Sequence, residues 1–418
     1  MQKFLINGGR KLYGKVQVDT SKNALLPILA SCLLIDDEVV LHNVTYYEDV
    51  LNMIKILRAL GAVVQEFGND LVINSKYIKT FTVSEELSNK LRASIFLLGP
   101  LLGRLKKARV AYPGGCAIGT RPIDIHLLGL TKLGAKIIDR HGMITAFGDN
   151  LKEASVCLPF PSVGATENLI MSSVFLKGKT TIIGGAKEPE VVDLCNFLNK
   201  AGAKIFGAGS DLITIYGVEK LHKVEYAPLY DRIVAGTYLF APLITGGEVE
   251  IENANRQHLK SVLEVLDNNA CKLKFKKNSI IVKSSRRLRG LNKIETLPYP
   301  FFPTDLQQPI TALASICAGN TILVENLFEN RFNHVQELIK MGANITVKDR
   351  TAFIEGVQEL YGASVFAPDL RGGASLVLAG LGASGYTTIS NVEIIDRGYY
   401  KLDESFARLG ADITRINS

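Results

Sequence analysis

Apolar and polar positions follow two rhythms along this chain. Stretches such as "KVQVD" and "EVEIEN" change sides at every residue, the period of a half-buried strand. Others, such as "ILRALGAVV" and "VVDLCNFLNK", space their apolar residues three or four apart and predict helices with one buried stripe. The helix-plus-strand rhythm then recurs. An amphipathic helix, a Gly-Ala corner and a strand occur six times, with corners at Gly61, Gly134, Gly202, Ala270, Gly342 and Gly410, at intervals of 73, 68, 68, 72 and 68 residues. Glycine suits the left-handed position that closes a helix, so its recurrence has a backbone reason, and the Ala270 corner is expected to close in another way.

Between these corners an apolar helix runs through a short turn into a β-rich strand, as in "ILASCLLIDDEVVLHN", "LIMSSVFLKGKTTIIGG" and "LASICAGNTILVEN". Each unit therefore holds strands plus two helices, one mostly buried and one amphipathic, which makes this an α/β protein. Six units form either an extended array or two compact halves of three. An array needs polar caps on its end repeats, and the last unit here is as apolar as the inner ones. Two domains are expected, one of residues 22–229 and one of residues 1–21 plus 230–418. The crossings are Thr20-Ser21-Lys22 and Leu229-Tyr230-Asp231-Arg232, where polar residues break the pattern.

Composition agrees with a soluble globular chain of 418 residues, 47% hydrophobic and 21% charged. The apolar run from Asn23 to Ile35 contains Pro27 and stops at Asp36-Asp37, short of the roughly 18 residues a membrane span needs. "MQKFLINGG" reads as a strand and a turn rather than a signal segment, so a cytoplasmic protein without membrane partners is expected. The net charge of +7 is mild, and the densest basic group, Lys272 to Arg289, has few aromatics to interleave with bases. That argues against nucleic acid and leaves room for a small anionic substrate. Six scattered cysteines without a CxxC pair suggest neither a disulfide framework nor a zinc site. Cys32, Cys195, Cys271 and Cys317 read as small buried hydrophobes.

Two phosphate-loop look-alikes fail on context. Gly9 to Val16 nearly matches GxxxxGK[ST], but Val16 has no hydroxyl and a strand follows instead of a helix. Gly380-x-Gly382-x-x-Gly385 follows a helix and precedes a strand, the reverse of a dinucleotide fingerprint.

Candidate chemistry lies elsewhere. The segment Tyr112 to His126, "YPGGCAIGTRPIDIH", breaks the repeat with glycines and prolines and carries Cys116 at its tip. Arg121 and His126 are placed to lower a thiol pKa, so Cys116 is a candidate thiolate or proton donor, against the plainer reading of an incidental loop thiol. A metal set of Cys116, Asp124 and His126 fits no standard ligand spacing, so no metal is expected. Lys22-Asn23 opens a buried helix, where a lysine charge adds to the helix dipole and free N–H groups to make an anion site; the plainer reading is a solvated lysine. Arg92 precedes an apolar helix in the same way. Asp305, in "FPTDL", reads as an N-cap or as a general base. Asp369 to Arg371 and Asp396-Arg397 each join an aspartate and an arginine at a helix start. Capping accounts for the aspartates, and the arginines suit phosphate or carboxylate binding.

Together "SKNALLPIL", "LRASIFLLGPLL", "PGGCAIGTRPIDIH", "PSVGATENL", "FPTDLQ", "FENRFNHVQEL", "DLRGGASLVLAG" and "DRGY" resemble the UDP-N-acetylglucosamine 1-carboxyvinyltransferases of the enolpyruvyl transferase superfamily, from residue 3 to residue 415. The resemblance implies a two-domain inside-out α/β fold of six βαβαββ repeats, three per domain, with helices inward and sheets outward. It implies transfer of the enolpyruvyl group of phosphoenolpyruvate to the 3′-hydroxyl of UDP-N-acetylglucosamine by addition–elimination, without a cofactor. Cys116 would then protonate the enol methylene and form a covalent adduct, which also makes it the thiol that an alkylator such as fosfomycin modifies. Asp305 would be the general base. Lys22, Asn23, Arg121, Arg371 and Arg397 would hold phosphoenolpyruvate. Arg92, Arg121, Pro122, Ile123, Asp124, Ile125, Phe160, Pro161, Ser162, Val163 and Leu327 would line the nucleotide-sugar site, with Asp305 reaching the sugar. The chain departs from the family at Phe160, where some members have lysine, at Thr20-Ser21, often Gly-Ala, and at Tyr399-Tyr400, often Tyr-Glu. The shikimate-pathway relatives share the fold but lack the cysteine loop, which sets this chain apart from them. A non-catalytic nucleotide-sugar sensor would be expected to lose Lys22, Cys116, Asp305 or Arg397, and all four are present.

Overall fold

In the computed structural model of the protein, residues 2–112, 123–267, 271–284 and 287–417 are described. These residues form six small sheets built to one recipe. One repeat runs Ser155–Cys157, helix Val163–Ser173, Lys179–Ile183, helix Pro189–Lys200, Lys204–Phe206 and Leu212–Tyr216. The first strand pairs parallel to the second through Thr181 and Ser155, and the last lies antiparallel to the second through Thr181 and Thr214. A parallel pair needs a crossover, and the buried helix supplies it. Five sheets have four strands. The sixth, of Lys107–Ala111, Met143–Phe147 and Lys136–Arg140, has three, and a single parallel bridge from Thr82 to Arg109 takes the place of its first strand.

The described residues divide into two compact units, one of residues 2–19 and 230–417 and the other of residues 20–112 and 123–229. Each unit is completed by its own far end. Val224–Tyr226 supplies the first strand of the sheet begun by Glu38–Leu41, and Gln2–Asn7 pairs with both Tyr386–Ser390 and Asp412–Asn417 in the last sheet.

Three helices per unit are buried almost all round: Lys22–Ser31, Leu98–Leu105 and Val163–Ser173 in one, Arg232–Thr245, Gln307–Ala314 and Leu370–Gly382 in the other. In the latter unit the three pack on one another. These are the continuous apolar runs of the sequence, hydrophobic on every side because neighbours surround them. The sheets keep one face on the helices and one in solvent, as Lys179–Ile183 shows by burying Thr180 and Ile182 alone. The amphipathic helices end as their glycines require: Gly61, Gly134, Gly202, Gly342 and Gly410 have φ between 93° and 106°. At Gly61 a Cβ would also lie 2.9 Å from the Tyr77 carbonyl oxygen. Ala270 lies outside the described residues.

Cys32, Cys195 and Cys317 are buried, and burial pushes the thiols of Cys195 and Cys317 up to about 12. Cys271 is half-buried rather than buried, because it leads into Lys272–Phe275, an edge strand open to solvent. Neither phosphate-loop look-alike opens a helix: the first is mostly the strand Leu12–Gln17 rather than a turn, and the second ends helix Leu370–Gly382 ahead of strand Tyr386–Ser390.

Candidate functional site

In each unit some of the candidate residues lie at the N-terminal ends of buried helices. In the unit of residues 20–229, the Ser21 hydroxyl caps Lys22–Ser31 by accepting from the Ala24 N–H at 3.4 Å. Thr20 is held on three sides. Its N–H donates to Thr45 Oγ1 at 3.3 Å, its carbonyl accepts from the Tyr47 hydroxyl at 3.1 Å, and its hydroxyl donates to the Asn43 carbonyl. The Thr-Ser pair that departs from the family thus anchors and caps the helix that presents Lys22 and Asn23. Lys22 Nζ lies 3.0 Å from Asp49 Oδ2, with side chains 12% and 5% exposed. The carboxylate partner fixes the direction of a largely buried ammonium.

In the same unit Asn168 joins three segments. Its amide oxygen accepts from the Gly99 N–H at 2.7 Å; its amide nitrogen donates to the Ile95 carbonyl at 3.0 Å and lies 2.8 Å from His126 Nδ1. Ile95 belongs to the 3₁₀ turn Arg92–Leu97, and His126 follows Asp124 and Ile125 in helix Asp124–Lys132. Asn168 itself lies on helix Val163–Ser173, whose cap is Ser162, accepting from the Ala165 N–H. One buried amide therefore gathers Arg92, Asp124, Ile125, Ser162 and Val163. At Gly164 a Cβ would lie 2.9 Å from both His126 Cε1 and Phe96 Cε1, so the close approach needs glycine. Ile123 is buried, Asp124 and Phe160 are exposed, and Pro161 is half-buried. His126 is buried, with its Nδ1 2.8 Å from the Asn168 amide nitrogen.

In the unit of residues 2–19 and 230–417, Asp305 sits in the 3₁₀ turn Thr304–Leu306 ahead of helix Gln307–Ala314. It is not the cap: Leu306 stands at the N-cap of the helix and Pro303 at that of the turn. Its carboxylate lies between two guanidinium groups: Arg331 Nη2 donates to Oδ1 at 2.7 Å and Arg371 Nη2 to Oδ2 at 3.1 Å. The arginine side chains are 3% and 4% exposed, while Asp305 keeps 28%. Burial alone would favour deprotonating Arg371, but the neighbouring Tyr399, Asp305 and Asp231 outweigh it and raise its pKa further. The Arg371 guanidinium also lies over the Tyr399 ring, 5.1 Å from its centroid, and the Tyr399 hydroxyl lies 2.8 Å from Thr237 Oγ1. Nε and Nη1 of Arg371 and Nε of Arg331 are buried without a close hydrogen bond among the described residues. Such donors suit an anion. His334, beside them, is driven well below its ordinary pKa, chiefly by burial, and adds no charge near neutral pH.

Asp369 caps helix Leu370–Gly382, its Oδ1 accepting from the Arg371 and Gly372 N–H groups at 3.0 Å. Asp396 does not cap. It ends the 3₁₀ turn Val392–Arg397 and makes a bidentate pair with Arg415 at 2.8 Å, so the Asp396-Arg397 pair closes a turn instead of opening a helix. Arg397 is half-buried at the end of that turn. Leu327 is fixed through Glu325, whose Oε1 accepts its N–H at 2.9 Å while Oε2 accepts from Thr304 Oγ1 at 2.9 Å. One buried carboxylate thereby ties the Leu327 turn to the turn that carries Asp305. Cys116, Arg121 and Pro122 lie outside the described residues. Among the described residues no cluster of metal-ligating side chains occurs, and no helix is long and apolar enough to cross a membrane.

Sequence reasoning missed Asp49, Asn168, Gln308, Glu325 and Arg331. Arg331 had a visible signal, since it stands in the "FENRFNHVQEL" motif. The others are polar residues inside apolar or alternating stretches, a hint only once their burial is known.

The profile of the EPSP synthase (3-phosphoshikimate 1-carboxyvinyltransferase) family matches residues 6–406. UDP-N-acetylglucosamine 1-carboxyvinyltransferase 2 of Caldanaerobacter subterraneus subsp. tengcongensis is 46% identical over 416 residues, covering 100% of both chains. UDP-N-acetylglucosamine 1-carboxyvinyltransferase of Geobacter metallireducens is 44% identical over 416 residues, again covering 100% of both. Among solved structures, the enolpyruvyl transferase NikO of Streptomyces tendae is similar with a TM-score of 0.90 at 24% identity, over 100% of this chain and 99% of that one. EPSP synthase of Acinetobacter baumannii is similar with a TM-score of 0.78 at 19% identity, over 100% of each. At those identities the two structures speak for the fold, the two-domain inside-out arrangement of six repeats. The family profile and the full-length relatives carry the assignment: this chain belongs to the enolpyruvyl transferase family, among the UDP-N-acetylglucosamine 1-carboxyvinyltransferases.

Proposed function

We propose that this enzyme transfers the enolpyruvyl group of phosphoenolpyruvate to the 3′-hydroxyl of UDP-N-acetylglucosamine and releases phosphate, committing the sugar to peptidoglycan precursors in the cytoplasm. Cys116 protonates the methylene carbon of phosphoenolpyruvate, which leaves positive charge on the central carbon. The sugar oxygen bonds to that carbon as its proton passes to Asp305, giving a tetrahedral intermediate. Loss of a methyl proton and of phosphate then restores the double bond. Lys22, Asn23, Arg121, Arg371 and Arg397 hold the phosphate and carboxylate, where positioned cations stabilise the charge without reorganising. Arg92, the 121–125 segment, Phe160 to Val163 and Leu327 take the nucleotide sugar, Phe160 as an exposed ring for the uridine to pack against.

The observation that carries this reading is the Asp305 carboxylate, part-exposed between two buried guanidinium groups that keep donors to spare. A base so held keeps a fixed direction, and the surplus donors answer a doubly anionic substrate. The test is phosphate release from phosphoenolpyruvate by chelator-treated protein, with UDP-N-acetylglucosamine, 3-phosphoshikimate or no acceptor. Release that requires the nucleotide sugar and survives chelation is expected. Release with 3-phosphoshikimate alone would move the chain to the other branch of its family. Nucleotide-sugar binding without release would make it a sensor.

A further inference from the structure

The two arginines that hold Asp305 come from distant parts of the chain, and something must set their spacing. Arg331 is 26 residues and Arg371 is 66 residues from Asp305. Gln308, three positions after Asp305, lies fully buried in the first turn of helix Gln307–Ala314. Its Nε2 donates to the backbone carbonyl of Arg331 at 3.2 Å and to Asp369 Oδ2 at 2.9 Å. Asp369 in turn accepts the backbone N–H of Arg371 on its other oxygen at 3.0 Å. The Gln308 backbone carbonyl accepts from the Ser375 hydroxyl at 2.6 Å, which holds its main chain. One amide thus touches the main chain of the first arginine and, through one carboxylate, that of the second. It sits on the helix that begins where Asp305 ends. A buried carboxylate and a buried carbonyl both depend on this donor, so the arrangement has little freedom to drift.

We propose that Gln308 is a positioning residue for the reaction, holding Arg331 and Arg371 at the separation that points the Asp305 carboxylate at the sugar hydroxyl. The inference rests on the reading of Asp305 as the base. Gln308 touches neither substrate; its effect passes through the two arginines. Removing its amide while keeping its volume lets the guanidinium groups relax and the carboxylate turn, which costs rate, weakens phosphoenolpyruvate binding only through Arg371, and leaves nucleotide-sugar affinity in place.

Gln308→Met supplies that change, and a double-mutant cycle with Asp305→Ala tests it. For Gln308→Met alone, kcat should fall about tenfold or more while KM for UDP-N-acetylglucosamine stays within about twofold. In the Asp305→Ala background the same substitution should lower the residual rate by less than about twofold, because the group it positions is gone. An equal factor in both backgrounds would show general damage and overturn the proposal. So would an unchanged kcat, or a loss confined to KM. Wild-type kcat in Asp305→Ala would instead sink the general-base reading, a different failure that the same cycle shows separately. Circular dichroism and gel filtration confirm the fold of each variant. Should Gln308→Met not fold, Gln308→Asn, which keeps an amide too short to reach both partners, enters the same cycle with the same expectations.

Discussion

Asn168→Ala tests whether one buried amide organises the nucleotide-sugar half of the site. The side chain is fully buried and serves the Gly99 N–H, the Ile95 carbonyl and the His126 ring nitrogen. Alanine leaves all three without that partner. Each buried polar group so stranded costs about 1–3 kcal/mol, which sets a floor of about 3 kcal/mol before any packing loss. For a unit of roughly 200 residues, each kcal/mol moves Tm by about 2–4 °C, so the transition of that unit should fall by roughly 6–12 °C. The chain has no tryptophan, so scanning calorimetry is the assay. Because Ile95 shares a turn with Arg92 and His126 follows Asp124-Ile125, KM for UDP-N-acetylglucosamine should rise roughly tenfold, equivalent to about 1.4 kcal/mol. KM for phosphoenolpyruvate should stay within about twofold, as Lys22 is held by other bonds. A Tm change below about 2 °C, or an equal rise in both KM values, would refute the reasoning.

Two further outcomes are expected. Burial, against hydrogen bonds from the Tyr226 hydroxyl and the Leu229 N–H, lifts Asp193 to about 6. A carboxyl whose folded pKa exceeds its unfolded value near 4 holds more protons when folded, so stability falls as pH rises from about 4 to about 6, by roughly 3 kcal/mol at most. Asp193→Asn should flatten that part of a urea-midpoint-against-pH curve, and an unchanged slope would assign it to other groups, Asp19 first among them, since it too is lifted to about 6. Cys116→Ser should abolish turnover, whereas Cys116→Asp should retain some, because a carboxylic acid also protonates carbon, and should withstand fosfomycin. Near-normal turnover in the first variant would remove Cys116 from the acid role, and inactivation of the second would place the alkylated group elsewhere.

The six repeats were legible because each depends on a local rule. A helix that must end in a left-handed residue selects glycine, and five corners report this directly. The apolar runs were legible as buried helices, though not which sheet completes which repeat. Val224–Tyr226 pairs with Glu38–Leu41 across most of a unit, and no local pattern encodes a partner that far away. Individual site residues divide the same way. Lys22 and Asp369 announce themselves at helix starts, where N-capping and the dipole act within one turn. Asp305 carries the same local signature, yet its carboxylate serves two arginines instead of the helix. Asp396 misleads for the same reason, its local setting outweighed by Arg415.

What was not legible is the scaffolding of the site, and a physical cause links its members. Asn168, Gln308, Glu325 and Arg331 are all buried polar groups whose partners lie tens of residues away. In sequence each looks like a polar residue placed at random in an apolar or alternating stretch. In the fold each is nearly compelled, since a buried donor or acceptor left unmatched costs more than the bond returns. Gln308 lies in the first turn of a buried helix, where the first N–H groups also need acceptors, while Asn168 sits mid-helix and Glu325 ends a strand. Helix ends brought together by packing collect unsatisfied donors in one place. The same condition that obliges the protein to spend polar side chains there makes the place fit to receive phosphate and carboxylate. If the proposed site is right, mutations at these residues should move stability and KM or kcat together, because the bonds that hold each unit also hold the side chains proposed to bind the substrates.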